Sequence, residues 1–369
     1  MQIFGPEELL QRIHGQDLCT ACGACVDLCP YFKTHKGKIS QIFSCDRSQG
    51  RCYAHCPKID VDFNRLSETF HNKPYKESPL GEVRKICMSK KGVNAPEGTF
   101  QNGGTVSALT IFALQQGLID AAVLTDRTGI IPNPRLVDTP REVLECATSK
   151  YMLAPTIACV NTAGKKGYKS LGVVGTPCQM TALAQLRCNP LYKEDFNDIT
   201  GLVLGLFCSW AIDTSRFIEF LETKQINVAA IKAMDIPPPP AEIFILTLED
   251  SVVEFPLNEI RELVPKGCTI CPDMTSEWTD LSIGALEGQN SWNTLIIRTE
   301  KGEALVDDAV NQGFLELAEL PEANLKNLTY AAVNKKKRAR EASDALGLNC
   351  EEFQHPAKKT QKQTIMGFR

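Results

Sequence analysis

Four cysteines near the start of the chain have a spacing that indicates iron–sulfur chemistry. Residues 18–31 read LCTACGACVDLCPY, which is the pattern C-x2-C-x2-C-x3-C-P at Cys19, Cys22, Cys25 and Cys29. Three thiolates at this spacing bind three irons of one [4Fe-4S] cube, and the fourth cysteine serves a second cube. A zinc site favours two separated C-x2-C pairs and gives the terminal Cys-Pro no role. The motif therefore predicts a bacterial-type 2[4Fe-4S] ferredoxin domain.

A second, less regular cysteine motif follows. Cys45, Cys52 and Cys56 form C-x6-C-x3-C-P with the proline after them. In a two-cluster ferredoxin the last cysteine completes the first cluster. We therefore expect one cluster on Cys19, Cys22, Cys25 and Cys56, and another on Cys29, Cys45 and Cys52.

This assignment leaves the second cluster one ligand short. There are three alternatives for the missing ligand: Cys87, an aspartate such as Asp46, or no fourth ligand, which would give a three-iron cluster. A further interpretation treats Cys45 as a spare thiol in a degenerate second half. The sequence alone leaves these alternatives open.

The composition indicates a globular protein with an unusual number of thiols. The chain has 369 residues, of which 43% are apolar and 23% charged, and it contains 16 cysteines. This length predicts two or more domains, and the composition excludes a mainly disordered or fibrous chain. The net charge of −4 gives no reason to expect nucleic acid as a partner.

We expect a cytoplasmic protein. The first residues lack the basic start and apolar run of a signal peptide, and the longest apolar stretch, 199–212, is too short to span a bilayer. This stretch is typical of a buried strand pair or of a strand followed by a turn. In a reducing compartment, clustered cysteines more often bind metal than form disulfides.

The chain divides into three regions. Residues 1–85 carry the ferredoxin motifs, residues 86–330 form an α/β (α+β) core, and residues 331–369 form a basic tail. In the core, strand-like runs at 121–124, 171–174 and 202–204 alternate with helix-like segments at 106–116 and 179–186, which favours a partly parallel sheet. Prolines 237–240 predict a rigid connection. We expect the tail to be helical over 331–348. Its basic run 335–340 is interpreted as docking a partner, with a solvated helix end as the alternative.

Five short segments of the core could form a site. They are Gly103-Gly104-Thr105, Thr148-Ser149-Lys150-Tyr151, Gly175-Thr176-Pro177-Cys178, Phe207-Cys208, and the pair Cys268 and Cys271 in a C-x2-C motif. Glycines before a helix allow backbone amides to bind phosphate, and a turn after a strand lies where α/β proteins bind ligands. The G-x-G-x-x-G fingerprint of a conventional dinucleotide site is absent from the sequence.

These segments, in this order, resemble the beta-subunit family of coenzyme F420-reducing hydrogenases and F420-dependent formate dehydrogenases. The resemblance covers about residues 103–302. A two-cluster ferredoxin module ahead of this core is similar to the F subunit of F420H2 dehydrogenases. The chain departs from the usual Gly-Ser-Lys-Tyr by having Thr148 before Ser149.

The resemblance implies FAD and a third iron–sulfur cluster in the core. It implies cluster ligands at Cys178, Cys208, Cys268 and Cys271. It implies flavin contacts at Gly103, Gly104, Thr105, Ser149, Lys150, Tyr151 and Gly175. Arg298 is a candidate for the acidic tail of a deazaflavin, with a structural ion pair as the alternative. Two competing interpretations concern these cysteines. In one, Cys208 is a small buried hydrophobic residue; in the other, Cys268 and Cys271 form half of a zinc site. The remaining cysteines, Cys87, Cys146, Cys159, Cys188 and Cys350, have no assigned role.

The implied function is that of an electron-transfer flavoprotein subunit. Hydride is exchanged between coenzyme F420, or a similar carrier, and FAD, and clusters pass single electrons to the catalytic subunit of a formate dehydrogenase, hydrogenase or heterodisulfide-reductase-type complex. The alternatives are an NAD(P)H- or ferredoxin-linked subunit, a polyferredoxin-like connector without productive flavin, and a stand-alone reductase. The core contains no histidine, which argues against histidine acid–base catalysis, and no catalytic residue is assigned.

Overall fold

The N-terminal region consists of short elements around cysteine-rich loops. The computed structural model describes residues 2–194, 196–237 and 241–348. The first elements are α1 (Pro6–Leu9), a π-helical turn (Leu10–His14), the hairpin strands β1 (Phe32–His35) and β2 (Lys38–Gln41), α2 (Arg51–Ala54) and α3 (Phe63–His71). Helix α3 is the longest of these, and the Asp62 side chain caps its start by accepting a hydrogen bond of 3.0 Å from the Arg65 amide.

The central region is built on an eight-stranded sheet. Its elements are β3 (Lys85–Lys91), α4 (Thr105–Gln115), β4 (Ala121–Thr128), β5 (Ile131–Val137), α5 (Pro140–Glu145), α6 (Thr156–Lys165), β6 (Leu171–Gly175), α7 (Pro177–Arg187), β7 (Thr200–Leu206) and α8 (Thr214–Thr223).

The remaining elements complete this sheet and add a smaller one. They are a 3-10 turn (Val228–Ala230), β8 (Ala233–Asp235), β9 (Ile243–Thr247), β10 (Val252–Pro256), α9 (Leu257–Arg261), α10 (Lys266–Thr269), β11 (Leu281–Ala285), β12 (Asn293–Ile297), α11 (Glu300–Asn311), β13 (Leu315–Ala318) and α12 (Glu322–Ala345). Strands β8, β9 and β10 form a separate antiparallel sheet that packs with α8.

The large sheet has a parallel centre. Its order is β13-β3-β12-β11-β7-β6-β4-β5, and β4, β6, β7 and β11 run parallel to one another. Strand β6 is buried along its whole length, as a central parallel strand covered by helices on both faces requires. The predicted mixed α/β class is confirmed, as are the predicted strands in β4, β6 and β7 and the predicted helices in α4 and α7.

The cysteine loops of the N-terminal region pack directly on the core. The Ile157 amide, in the first turn of α6, donates a hydrogen bond of 3.0 Å to the carbonyl oxygen of Cys22. Gly23 has φ +90°, and a Cβ there would lie 2.4 Å from the carbonyl oxygen of Pro155. Only glycine allows this approach. The first cysteine motif therefore lies against the core rather than on a separate lobe.

Helix α12 begins earlier than the sequence predicted. It starts at Glu322, so the predicted boundary at residue 331 falls inside the helix. Residues 349–369, with Cys350, and Pro238 to Pro240 lie outside the described residues. Among the described residues, no helix is both long enough and apolar enough to span a membrane.

Candidate functional site

A cavity of about 610 Å³ opens at the carboxyl ends of the parallel strands. Thr125 of β4, Gly175 of β6, Leu206 of β7 and Gly284 of β11 all contribute to its wall. Ligands of open α/β sheets bind at this edge, where loops rather than strands control the chemistry. The fold therefore places the five sequence segments around one concave site.

Five of the predicted cofactor contacts line this cavity. They are Gly104, Ser149, Lys150, Tyr151 and Gly175. Gly103 and Thr105 do not line it. A Cβ at Gly103 would lie 2.9 Å from the carbonyl oxygen of Ser89, and the buried Thr105 hydroxyl hydrogen-bonds the Ser89 hydroxyl at 2.9 Å. Both residues instead fix the start of α4 against β3.

The loop before Met152 has an unusual backbone. Thr148 and Tyr151 have φ of 73° and 58°, in the left-handed region that few non-glycine residues adopt. The Lys150 ammonium donates a hydrogen bond of 2.6 Å to the carbonyl oxygen of Ala147. Burial lowers the pKa of Lys150, although the Asp126 carboxylate partly opposes this shift. A half-buried cation at the cavity wall suits an anionic ligand group.

Tyr151 closes one side of the cavity. Its hydroxyl donates a hydrogen bond of 3.0 Å to Asp235 and accepts one from the Gln101 amide. Burial raises the pKa of Tyr151 to about 12, so its hydroxyl remains protonated. Gln101 was not predicted from the sequence, because a polar residue before a glycine pair gives no distinctive signal.

The four core cysteines lie together on the same cavity wall. Cys178 lies in the first turn of α7, Cys208 follows β7, Cys268 lies in α10 and Cys271 follows α10. Burial, followed by the neighbouring Cys178 and Cys271 thiols, raises the pKa of Cys208 to about 12, although Lys335 opposes the shift. Burial and neighbouring thiols also raise the pKa of Cys268. Without their protons, these four thiolates would repel one another. The group therefore favours a bound cation or a cationic iron core.

The ferredoxin cysteines form two further groups. Burial and then Cys56 raise the pKa of Cys22, and burial and then Cys19 raise the pKa of Cys25. In the other group, burial followed by Cys29 and Cys45 raises the pKa of Cys52 to about 11. The structure thus brings Cys22, Cys25 and Cys56 near one another, and Cys29 and Cys45 near Cys52, while the binding of a cluster by each set stays a prediction.

The three groups are arranged in a row. The nearby Cys178 thiol contributes to the raised pKa values of Cys19 and Cys22, so the core group adjoins the first ferredoxin group. Cys52 contributes in the same way to the raised pKa of Cys25, so the second ferredoxin group adjoins the first. This order runs from the cavity towards the N-terminal hairpin.

Two unpaired polar groups next to the ferredoxin cysteines fit the presence of iron–sulfur clusters. Two of the buried polar atoms without a hydrogen-bond partner are the Thr20 hydroxyl, next to Cys19, and Nδ1 of His55, next to Cys56. Buried polar groups are rarely left unpaired, and the sulfides of a cluster accept hydrogen bonds. Within the part of the chain that the structure describes, no three His, Cys, Asp or Glu side chains form a site for a single metal ion. The ligands of a cube each bind a different iron.

Cys87 is not the fourth ligand of the second cluster. It lies in β3, opposite Leu295 of β12, and packs in the core of the large sheet. Its pKa is raised by burial, with no thiol among the causes. Asp46, exposed beside Cys45, remains as a candidate, as does the absence of a fourth ligand. The fold thus removes one of the alternatives.

Of the described cysteines without an assigned role, one lines the cavity. Cys146 is buried at the end of α5 and forms part of the cavity wall. Cys159 lies half-buried in α6, and the Cys188 thiol contacts the Thr69 hydroxyl at 3.6 Å. Among the described residues, no neighbouring thiol is among the causes that raise the pKa of Cys146, Cys159 or Cys188.

Arg298 does not line the cavity, which corrects its placement among the cofactor contacts. It is 2% exposed, and its five N–H groups donate to the Ser282 hydroxyl, the Leu80 and Glu82 carbonyl oxygens, and the carbonyl and hydroxyl oxygens of Thr275. Because an arginine has five N–H donors, none is left for a ligand. Arg298 holds the 275–282 loop and the 80–82 segment to the end of β12.

The basic run 335–340 is partly buried, and its docking role stays a prediction that only its exposed part, such as Lys337 and Arg338, can serve. Lys335 is 4% exposed and donates hydrogen bonds to the carbonyl oxygens of Cys208 and, at 2.7 Å, Asp273. Lys336 forms a buried ion pair of 2.7 Å with Glu277, and Arg340 pairs with Glu77. The sequence of this basic run does not indicate that half of its side chains face the protein interior.

Comparison with known proteins agrees with this geometry. A family model described as "Coenzyme F420 hydrogenase/dehydrogenase, beta subunit N-term" matches residues 93–161, and its counterpart for the C terminus of the same beta subunit matches residues 168–323. The beta subunit of the coenzyme F420 hydrogenase of Methanococcus voltae is 30% identical over 220 residues, which are 58% of this chain and 77% of that protein. The chain belongs to this beta-subunit family. The resemblance seen in the sequence is therefore confirmed.

Two further similarities extend beyond the core of this beta-subunit-family protein. A "4Fe-4S binding domain" model matches residues 13–31, which include Cys19, Cys22, Cys25 and Cys29. The F subunit of the F(420)H(2) dehydrogenase of Methanosarcina mazei is 27% identical, over 84% of this chain and 87% of that protein. The N-terminal iron–sulfur motif is thus part of the similarity.

A solved structure supports the fold. The F420-reducing [NiFe] hydrogenase complex from Methanosarcina barkeri contains a chain that superposes with a TM-score of 0.66 at 23% identity, covering 73% of this chain and 94% of that chain. At this identity the match speaks to the fold alone.

Proposed function

We propose that this chain is an electron-transfer flavoprotein subunit that exchanges hydride with coenzyme F420 and passes single electrons to a catalytic partner. The observation that carries the proposal is that the cavity and the core cysteines share one wall. Cys178, Cys208, Cys268 and Cys271 line the same cavity as Lys150 and Tyr151. A cofactor in the cavity would therefore lie beside a cluster on these thiols.

FAD, when bound, supplies the conversion between a two-electron hydride and single electrons. The chain's own residues fit such a ligand in two ways. The backbone at Gly104 and the Lys150 ammonium offer contacts for anionic groups, and the glycine at position 175 lets the strand end approach closely. Tyr151, kept protonated, offers a hydroxyl at the wall.

The row of thiol groups supports a path for electrons. Three iron–sulfur clusters would lie on the core group, the first ferredoxin group and the second ferredoxin group, in that order. Each group adjoins the next, and the two ends of the row lie at the cavity and near the exposed hairpin. The catalytic subunit of a hydrogenase, a formate dehydrogenase or a heterodisulfide-reductase-type complex would exchange electrons along this row.

Coenzyme F420 is the proposed hydride carrier because relatives that cover most of this chain carry it in their names. The F subunit of the F(420)H(2) dehydrogenase of Methanosarcina mazei matches 84% of this chain. NADH and NADPH are the competing carriers.

The test is anaerobic flavin bleaching. The full chain, purified anaerobically with its clusters, should show a flavin absorbance band that reduced F420 bleaches faster than NADH or NADPH. Faster bleaching by NADH would replace F420 as the carrier. A chain with clusters and no flavin, even after incubation with FAD, would instead favour the connector without flavin chemistry.

A further inference from the structure

An exposed apolar pair lies next to the second ferredoxin group. Ile42 and Phe43 are 51% and 63% exposed, and Cys45 follows two residues later. The Phe43 ring packs edge-on against Tyr31 with 6.2 Å between ring centres, and Tyr31 lies two residues after Cys29. The pair is thus attached at both sides to segments that carry thiols of this group.

The backbone presents this pair in a fixed position. The Ile42 amide donates a hydrogen bond of 2.8 Å to the carbonyl oxygen of Tyr31, which extends the β1–β2 hairpin by one step. On the other side, Ile42 and Phe43 border an open groove of about 590 Å³ whose far wall includes Leu10 and His14. A side chain from another protein could enter this groove.

The surroundings of the pair are basic. Residues 27–51 contain five Lys or Arg and two Asp, whereas the whole chain has a net charge of −4. Of the two carboxylates, Asp27 is paired with Lys33 at 2.6 Å. Lys36, Lys38 and Arg47 are exposed. An apolar centre with a basic rim selects an acidic partner and disfavours a basic one.

We propose that this hairpin surface, made of Lys36, Lys38, Ile42, Phe43 and Arg47, docks an acidic protein that carries a one-electron iron–sulfur centre near its own surface. The proposal rests on the proposed function, because it takes the second ferredoxin group to hold the cluster at the end of the row. In the forward direction, the reduced cluster loses one electron and the partner's oxidised centre gains it. No bond forms or breaks, and no proton needs to move.

The test uses the full chain with its clusters and an acidic 2[4Fe-4S] ferredoxin as the probe. Binding of the oxidised ferredoxin is measured by calorimetry at low and high ionic strength. Electron transfer is measured by stopped flow after the chain has been reduced with dithionite and excess reductant removed. The variants are Lys36→Glu with Lys38→Glu, and separately Phe43→Ser. The matched controls are Lys326→Glu on α12 and Val93→Ser, whose side chains are also exposed.

The double charge reversal should weaken binding and slow transfer by about tenfold at low ionic strength, with a smaller effect at high ionic strength. Phe43→Ser should weaken binding at both ionic strengths. Iron content should not change in any variant, and the controls should behave as the parent chain. Unchanged binding in both variants would overturn the proposal, as would controls with equal losses.

Self-association is the competing use of the surface. If sedimentation shows that the full chain is a dimer and that Phe43→Ser makes it a monomer, the surface joins two copies and the proposal is wrong. Failure of F420H2 to bleach the flavin would overturn the proposed carrier and leave this test intact, because dithionite supplies the electrons.

Discussion

The ammonium group of Lys335 lies 2.7 Å from the carbonyl oxygen of Asp273 and also donates a hydrogen bond to the carbonyl oxygen of Cys208. It therefore ties the segment after Cys271 to the segment after β7, and each segment carries a thiol of the core group. Burial alone would lower the pKa of Lys335, but the nearby thiolates and the Asp273 carboxylate raise it. A buried positive charge thus lies beside the core cysteines.

Lys335→Met should make the core cluster harder to reduce and the core less stable. Loss of the positive charge moves the reduction potential of the cluster to a more negative value. The two lost hydrogen bonds are worth about 1.5–3 kcal/mol each. An EPR-monitored redox titration and a thermal melt measure both effects. Lys337→Met, at an exposed position two residues further along α12, should change neither.

Cys268→Ser should remove the core cluster and leave the ferredoxin clusters in place. Cys268 is buried among the thiols of the core group and far along the chain from the N-terminal motif. Iron content should fall by about four. The flavin should still accept hydride but pass electrons slowly to a one-electron dye. Cys159→Ser, on half-buried Cys159 of α6, is the matched control, and an equal iron loss in both variants would refute the assignment.

The total iron content should be about 11–12 per chain, from two cubes and one cluster of three or four irons. Cys45→Ser should lower the count by about three or four, because Cys45 belongs to the second ferredoxin group. Cys87→Ala should leave it unchanged, because Cys87 packs inside the large sheet. A total near four would contradict the ferredoxin assignment, and iron loss in Cys87→Ala would restore that residue as a ligand.

FAD affinity should weaken at alkaline pH because of Lys150. Burial lowers the pKa of Lys150 below its ordinary value of 10.5, and a bound anionic group would raise it again. The affinity for FAD therefore stays constant at pH values below the pKa of Lys150 in the free chain. It falls as the pH rises towards the pKa of Lys150 in the complex. Equilibrium dialysis over this range measures the effect. Lys150→Arg should abolish the dependence, since arginine stays charged, and Lys150→Met should weaken binding about tenfold at neutral pH.

Arg298→Lys should destabilise the protein without weakening carrier binding. Lysine cannot make five fixed hydrogen bonds, and an incompletely paired buried charge costs about 3–5 kcal/mol. A thermal melt should show the loss, while the affinity of the folded fraction for F420 should match the parent. Arg141→Lys, at an exposed position, is the control. A selective loss of F420 affinity would place Arg298 at the cofactor site after all.

The sequence alone predicted the N-terminal iron–sulfur motif and much of the fold. The spacing of Cys19, Cys22 and Cys25 is a local property, because three neighbouring residues of one loop would have to reach one cluster, while Cys29 is predicted to serve the second. Strands β4, β6 and β7 were visible because continuous apolar runs reflect burial on both faces of a parallel sheet. The grouping of Cys56 with the first motif followed from the general pairing of the two halves of a two-cluster ferredoxin.

Only the tertiary structure decided which residues meet. Lys335 and the core thiols are brought together by helix α12, and a basic run has the same local pattern whether it faces solvent or the interior. Arg298 and Cys87 could not be placed from the sequence for the same reason. The hydrogen-bond partners of Arg298 lie on distant loops, and the burial of Cys87 depends on strands that are remote in the sequence. Gly23 shows how the two sources combine. A glycine between two predicted ligand cysteines indicates a close approach of the backbone to another group. Only the fold revealed that this group is Pro155 and that the contact joins the ferredoxin region to the core.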